Sequence, residues 1–214
     1  MKRLDSHKDA VWDLKTKIVG QVYDSQDFTN TNFNSAIFEN TIFKNCLFEG
    51  TKVAGSKLFY ESNFFNCEFK KLELSNTTFG SNQGVYEECL FEGCNFRGKE
   101  FNFTRFVRTT FCKCKLSKIS FNASSFADCK FIGLLADVTF NGLYDTDKSA
   151  FPALENVNFS EAKFGEFVTF INCDLQNCIP PDGNSFDEIL YRIYSNDSRV
   201  LSSGSKDKIV FARR

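Results

Sequence analysis

The chain has 214 residues, 27 of them Phe, with one Trp, one Met and three Pro, and a formal net charge of −1. No strong field therefore advertises nucleic acid, an acidic substrate or an anionic membrane as a partner. The opening stretch MKRLDSHKDAVWDLK lacks the unbroken apolar run of a signal peptide, and no segment approaches the roughly 20 apolar residues that span a bilayer. The nine Cys, an odd number, then read as reduced thiols, and the expected location is the cytoplasm.

Residues 1–15 read as an N-terminal cap, with Asp5 to Lys15 as a short helix closing the first coil through Trp12 and Leu14. A different rhythm then takes over. Phe recurs at Phe28, Phe33, Phe38, Phe43 and Phe48. Five residues is a period of neither regular structure. On a helix the rings would fan around the axis, and on a strand they would alternate faces. Each unit must contain its own bend. The beat continues through Val53 and Leu58, slips by one to Phe64, Phe69, Leu74 and Phe79, and resumes from Phe91 to Phe131. Phe140, Phe159, Phe164, Phe170 and Leu175 are later members. Such a fixed internal period marks a repeat architecture.

Two residues before each of these centres stands a small or slim residue: Thr31, Ala36, Thr41, Cys46, Thr51, Ser62, Cys67, Cys89, Cys94, Thr104, Thr109 and Cys114 among them. Residues two apart in extended backbone share a face, so the small residue and the ring both point inward from one short side. With the slips subtracted, the recurring Cys lie 20 or twice 20 residues apart, which makes four sides per coil. The paired positions resemble the pentapeptide-repeat family over Thr16 to Cys178. That resemblance implies an all-β right-handed quadrilateral β-helix, occupying 16–180 in this chain. Lys99 and Gln26 depart from it by filling small-residue slots, as do the larger Leu72, Ile119, Val138 and Val157.

Two irregular segments interrupt the beat, one near 80–88 and one at 141–156. The second is a candidate recognition loop, because loops on a rigid scaffold often carry binding. Phe59, Tyr60, Phe65 and Phe103 lie beside centres, so they are expected to face outward as a partner surface. At the end of the coil Pro180 and Pro181 stop the tube, and residues 181–214 read as a capping helix and tail. SFDEILYRIY opens with Ser185 and Glu188 at capping-box spacing. Phe186, Ile189, Leu190 and Ile193 follow at helical spacing. A lid on the last coil and a homodimer contact are both open to this helix. In the tail, KIVFA has the composition of a strand.

Chemical motifs weigh little against the repeat. GCNFRGKE has Glu100 where a phosphate loop needs Ser or Thr, and DTDKSAFPALEN lacks the glycine and terminal Glu of a calcium loop. Cys112 and Cys114 point to opposite faces, and the single His, His7, has no evident partner. The expectation is no catalytic residue, no metal, no cofactor and no direct nucleic-acid binding. The chain reads as a non-enzymatic scaffold for a protein partner. The family resemblance adds an alternative, a DNA mimic acting on DNA gyrase or topoisomerase IV. The mixed corner charges, Glu39, Glu49 and Glu92 beside Lys44, Lys70, Arg105 and Arg108, weigh against that alternative.

Overall fold

Strands of mostly three residues succeed one another along the chain, most of them followed by a left-handed corner. The computed structural model describes residues 5–53, 59–74, 83–145, 147–148, 150–193 and 209–212. Corner residues such as Asn30, Asn40, Asn45, Asn66, Gly50 and Gly93 all have φ between 49° and 63°. Asn and Gly tolerate that conformation best, which is why they punctuate the repeat. Each corner turns the chain, and parallel pairing stacks each coil on the one before.

Four sides result. Side one carries Ile18, Phe38 and Phe59, then Phe101, Phe121, Phe140 and Phe170. Side two carries Tyr23, Phe43, Phe64, Tyr86, Phe106, Phe126 and Leu154. Side three carries Phe28, Phe48, Phe69, Phe91, Phe111, Phe131 and Phe159. Side four is held by isolated bridges, Asn32 to Lys52 and Glu73 to Asn95 to Lys115. Along side three, successive rings stack with centroids 4.9, 4.9, 4.6, 5.2, 4.8 and 5.3 Å apart. Neighbouring towers meet edge to face, as Phe43 meets Phe48. Both geometries suit the ring quadrupole, and they fill the interior without a lumen.

The small residues do more than leave room. Thr109 Oγ1 donates to the Val107 carbonyl at 3.2 Å and to that of Tyr86, one coil earlier, at 3.1 Å. Cys67 Sγ lies 3.4 Å from the Phe65 carbonyl and 3.5 Å from that of Phe43. Thr, Ser and Cys therefore satisfy carbonyls that the corner would leave buried and unpaired.

Several sequence expectations are corrected. Phe59 is fully buried, not outward. Counting back five from Phe64 gives Phe59, so the extra residue enters before Phe59, and Leu58 and Ser56 lie outside the described residues. Tyr86 is a buried centre that the beat passed over, and the part of the 80–88 irregularity at 80–82 is likewise outside the description, with Thr77 and Phe79. Leu135 is another buried centre, one residue early. Its strand, Lys130–Leu135, runs straight through a corner at Gly133, φ 107°. A Cβ at Gly133 would meet Lys113 Cα at 3.4 Å, an ordinary contact, so it is the positive φ and not crowding that favours glycine there.

Residues 5–15 form no helix: Asp5–Ser6 is a strand on side three, and Val11 bridges to Asn32 on side four. Trp12 packs on the core, whereas Leu14 is exposed. At the other end the helix is a single turn, Phe186–Ile189. Leu190 and Ile193 belong to the next strand, which pairs antiparallel with Ile209–Ala212. Helical spacing in four apolar residues was overridden by a strand partner distant in sequence.

Candidate interaction surface

Because rings fill the coil, chemistry is left to the outer columns. Several charges there pair between successive coils. Lys17 pairs with Glu39 at 3.0 Å and Lys71 with Glu49 at 2.8 Å, while Arg108 reaches both Glu87 and Glu88 and Lys130 reaches Glu161. The Lys71 ammonium holds the Glu49 carboxyl below the usual carboxylate range. Amide ladders run alongside: Asn66 Nδ2 donates to Asn45 Oδ1 at 2.8 Å, and Asn45 Nδ2 to Asp24 Oδ1 at 2.9 Å.

Side two and the corner before it differ. Val22, Ile42 and Val85 stand in one outer column, with Asn63 and Arg105 in register. Phe65 stands in the adjacent column between Lys44 and Glu87. Its neighbour in sequence, Phe64, points in, so strand alternation puts Phe65 on the outer face, half-buried. Tyr60, next to buried Phe59, is half-buried on the other side of the corner at Glu61. Phe103 occupies a corner itself, φ 56°. Three of the four expected outward aromatics thus lie around side two, and Phe59 does not join them.

The 141–156 segment meets this surface. It leaves side one after Phe140, forms a small antiparallel hairpin of Leu143–Tyr144 with Asp147–Lys148, and returns at buried Leu154. Its exit is tight: a Cβ on Gly142 would sit 2.3 Å from the Asn172 carbonyl oxygen. The exposed Tyr144 ring meets Phe103 edge to face at 5.7 Å. Exposed Phe151 lies under the Arg105 guanidinium, 3.8 Å from its centroid. Tyr144 and Phe151 were not named from sequence, although both lie in the segment that loses the beat, and Arg105 was read there only as one of the mixed corner charges.

Elsewhere the surface offers little chemistry. Among the described residues no three His, Cys, Asp or Glu converge as metal ligands, and no helix is long and apolar enough to cross a membrane. All nine Cys are free, and burial pushes the Cys129 and Cys173 thiols up to about 12. Lys99 is buried in its small-residue slot, and desolvation brings its ammonium down to about 8, with Glu73 partly opposing the shift. At the C-terminal end Phe186 meets Phe159 at 6.3 Å and Ile189 also packs on the core. Glu188 Oε2 accepts from the Ser185 N–H at 2.8 Å, the backward half of the expected capping box.

A family model described as pentapeptide repeats (8 copies) matches residues 27–50. The chain is a pentapeptide-repeat β-helix. Its coil runs well beyond the matched stretch in both directions. No curated protein matches the sequence. Among solved structures the β-helix is similar to a trypsin-treated form of QnrB1, a plasmid-mediated fluoroquinolone resistance protein, at 12% identity over 84% of this chain and 92% of that one, with a TM-score of 0.43. It is also similar to HetL, a pentapeptide repeat protein involved in heterocyst differentiation regulation from the cyanobacterium Nostoc, at 10% identity over 86% of this chain and 93% of that one, with a TM-score of 0.37.

Proposed function

We propose that this pentapeptide-repeat β-helix is a non-enzymatic scaffold that binds a protein partner through side two and the 141–156 hairpin. The observation that carries the reading is the convergence there of Phe103, Tyr144, Phe151 and Arg105, with the half-buried Phe65 two coils away on the same side. Aromatic and Arg side chains on a rigid frame are what protein interfaces use as anchors. The DNA-mimic reading needs a broad acidic face, since a duplex carries about one charge per 1.7 Å. Several carboxylates on the outer columns, Glu39, Glu49 and Glu88 among them, are instead paired to Lys or Arg one coil away, which favours the scaffold.

Affinity capture from the native host should recover a partner with the wild-type chain and lose it when Tyr144 and Phe151 become Ser. Circular dichroism of the variant should be unchanged. Partner recovery that ignores both substitutions, or a tight gyrase complex at physiological salt, would overturn the assignment.

A further inference from the structure

Side four is the face opposite side two, and its charges are arranged differently. One outer column runs through Glu73, Asn95, Lys115, Leu134 and Lys163 in successive coils. Its lower part is satisfied within the chain, since Asn95 Nδ2 donates to Glu73 Oε2 at 2.7 Å. Above Asn95 the column becomes cationic around one apolar residue. Lys115 and Lys163 are exposed on either side of Leu134, which is itself 60% exposed. Lys113 stands at the corner beside Lys115, in register between Gly93 and Gly133, which bring no side chain to cover it. Arg97 is exposed one coil below. Among the described residues none of these four cations makes an ion pair, unlike Lys17, Lys71, Arg108 and Lys130. The carboxylates of the adjoining corner are drawn elsewhere: Glu161 pairs with Lys130, and Glu92 stands in register with Lys70 on side three.

We propose that this strip of side four binds an acidic segment of a protein partner, with carboxylates set about an apolar residue. Charge complementarity identifies the occupant. The chain's own residues outside the described ones do not supply it. Residues 1–4, 54–58, 75–82, 146, 149, 194–208 and 213–214 contain two carboxylate side chains, Asp197 and Asp207, against eight Lys and Arg. Leu134 argues for a peptide over a phosphate backbone, which would pair the cations and leave the leucine without an apolar contact. In an extended segment, Glu at i and i+4 share a face with an apolar residue at i+2, and the two carboxylates leave the backbone about 13 Å apart. Lys115 and Lys163 leave the coil about 10 Å apart, two strand spacings. Their long, flexible side chains cover the difference.

This surface lies across the coil from the hairpin, so it does not depend on the role proposed for side two. The probe is a fluorescein-labelled peptide in which Glu-Ser-Leu-Ser-Glu is repeated twice, titrated with the full chain and followed by anisotropy. Binding should be saturable at about 50 mM salt and weaken as salt is added. The pair Lys113→Glu and Lys115→Glu should raise the dissociation constant more than about tenfold. Lys8→Glu, on the first coil, should change it less than about twofold. Leu134→Ser, and a peptide with Ser in place of Leu, should each weaken binding, whereas the Tyr144→Ser and Phe151→Ser chain should bind as wild type does. Thermal melts check each variant, and the neutral pair Lys113→Gln and Lys115→Gln carries the test if the Glu pair melts early. No saturable binding below about 100 μM, or binding indifferent to Lys113, Lys115 and Leu134, would overturn the proposal. A single-stranded oligonucleotide or an anionic vesicle that outcompetes the peptide at the same lysines would overturn the choice of a protein segment. A wild-type dimer dissolved by the lysine substitutions would make a second copy the occupant and overturn it equally.

Discussion

Phe59→Ala and Phe65→Ala, six positions apart, should differ sharply in cost. The Phe59 ring has no exposure, and its ring neighbours among the described residues include Phe38 and Phe64 at 5.1 Å, Phe43 at 5.3 Å, Phe48 at 6.0 Å and Phe33 at 6.2 Å. Removing it forfeits about 1.5–3 kcal/mol of transfer free energy. The cavity adds to this, because its walls are rings pinned by stacked coils and cannot fold inward. Truncations of this kind usually cost about 3–5 kcal/mol in total, and Phe59 belongs in the upper half of that range. Phe65 is half-buried on the outer face, so its loss should cost no more than about 1 kcal/mol. Urea unfolding followed by far-UV circular dichroism gives both values, and unchanged slopes would show that the comparison concerns stability alone. For a chain of this size the Phe59 variant should also melt roughly 10 °C lower, at about 2–4 °C per kcal/mol. Losses within about 1 kcal/mol of each other would refute the placement of the extra residue before Phe59.

Two further outcomes follow from single positions. Lys99 has its folded-state ammonium lowered from 10.5 to about 8, so the charged form is penalised in the folded state below that pH, and the penalty is relieved as pH rises towards 10.5. Lys99→Met should be more stable than wild type at pH 7 and lose that advantage between about pH 8 and 10.5; a pH-independent difference in paired melts would contradict this. Gly142→Ala would put a Cβ 2.3 Å from the Asn172 carbonyl oxygen, so it should lower the melting temperature and loosen the hairpin, whereas Gly98→Ala meets no atom within 4 Å and bears only the strain of its positive φ.

How much of this was legible in the sequence depends on what each residue had to compete with. The coil was legible because two positions repeat together, a ring and a small hydrogen-bonding residue, and no other period accommodates both. Its phase across the slip was not. Forward counting from Val53 reaches Leu58 and backward counting from Phe64 reaches Phe59, and both residues are large and apolar. A one-residue shift exchanges inside for outside, so a single misplaced slip turned a core ring into an expected surface one. Tyr86 was missed because its hydroxyl made it an unlikely centre beside so many Phe. The strand at Leu190–Ile193 was hidden because its partner, Ile209–Ala212, lies across the tail.

The same logic decides where function can be read. Inward positions are held to rings and small residues by stacking, so they report only that the chain coils. Outward positions carry no such demand, and they are informative as columns one coil apart instead of as neighbours in sequence. Read that way, Val22, Ile42, Asn63, Val85 and Arg105 are one surface, although no linear motif contains them. Phe103 and Phe151 are almost fifty residues apart, yet the hairpin brings Phe151 to Arg105 and Tyr144 to Phe103. A partner that docks on this β-helix meets residues from several coils at once. Substitutions that weaken it should therefore cluster by column and corner, and single-coil replacements should each remove only part of the affinity.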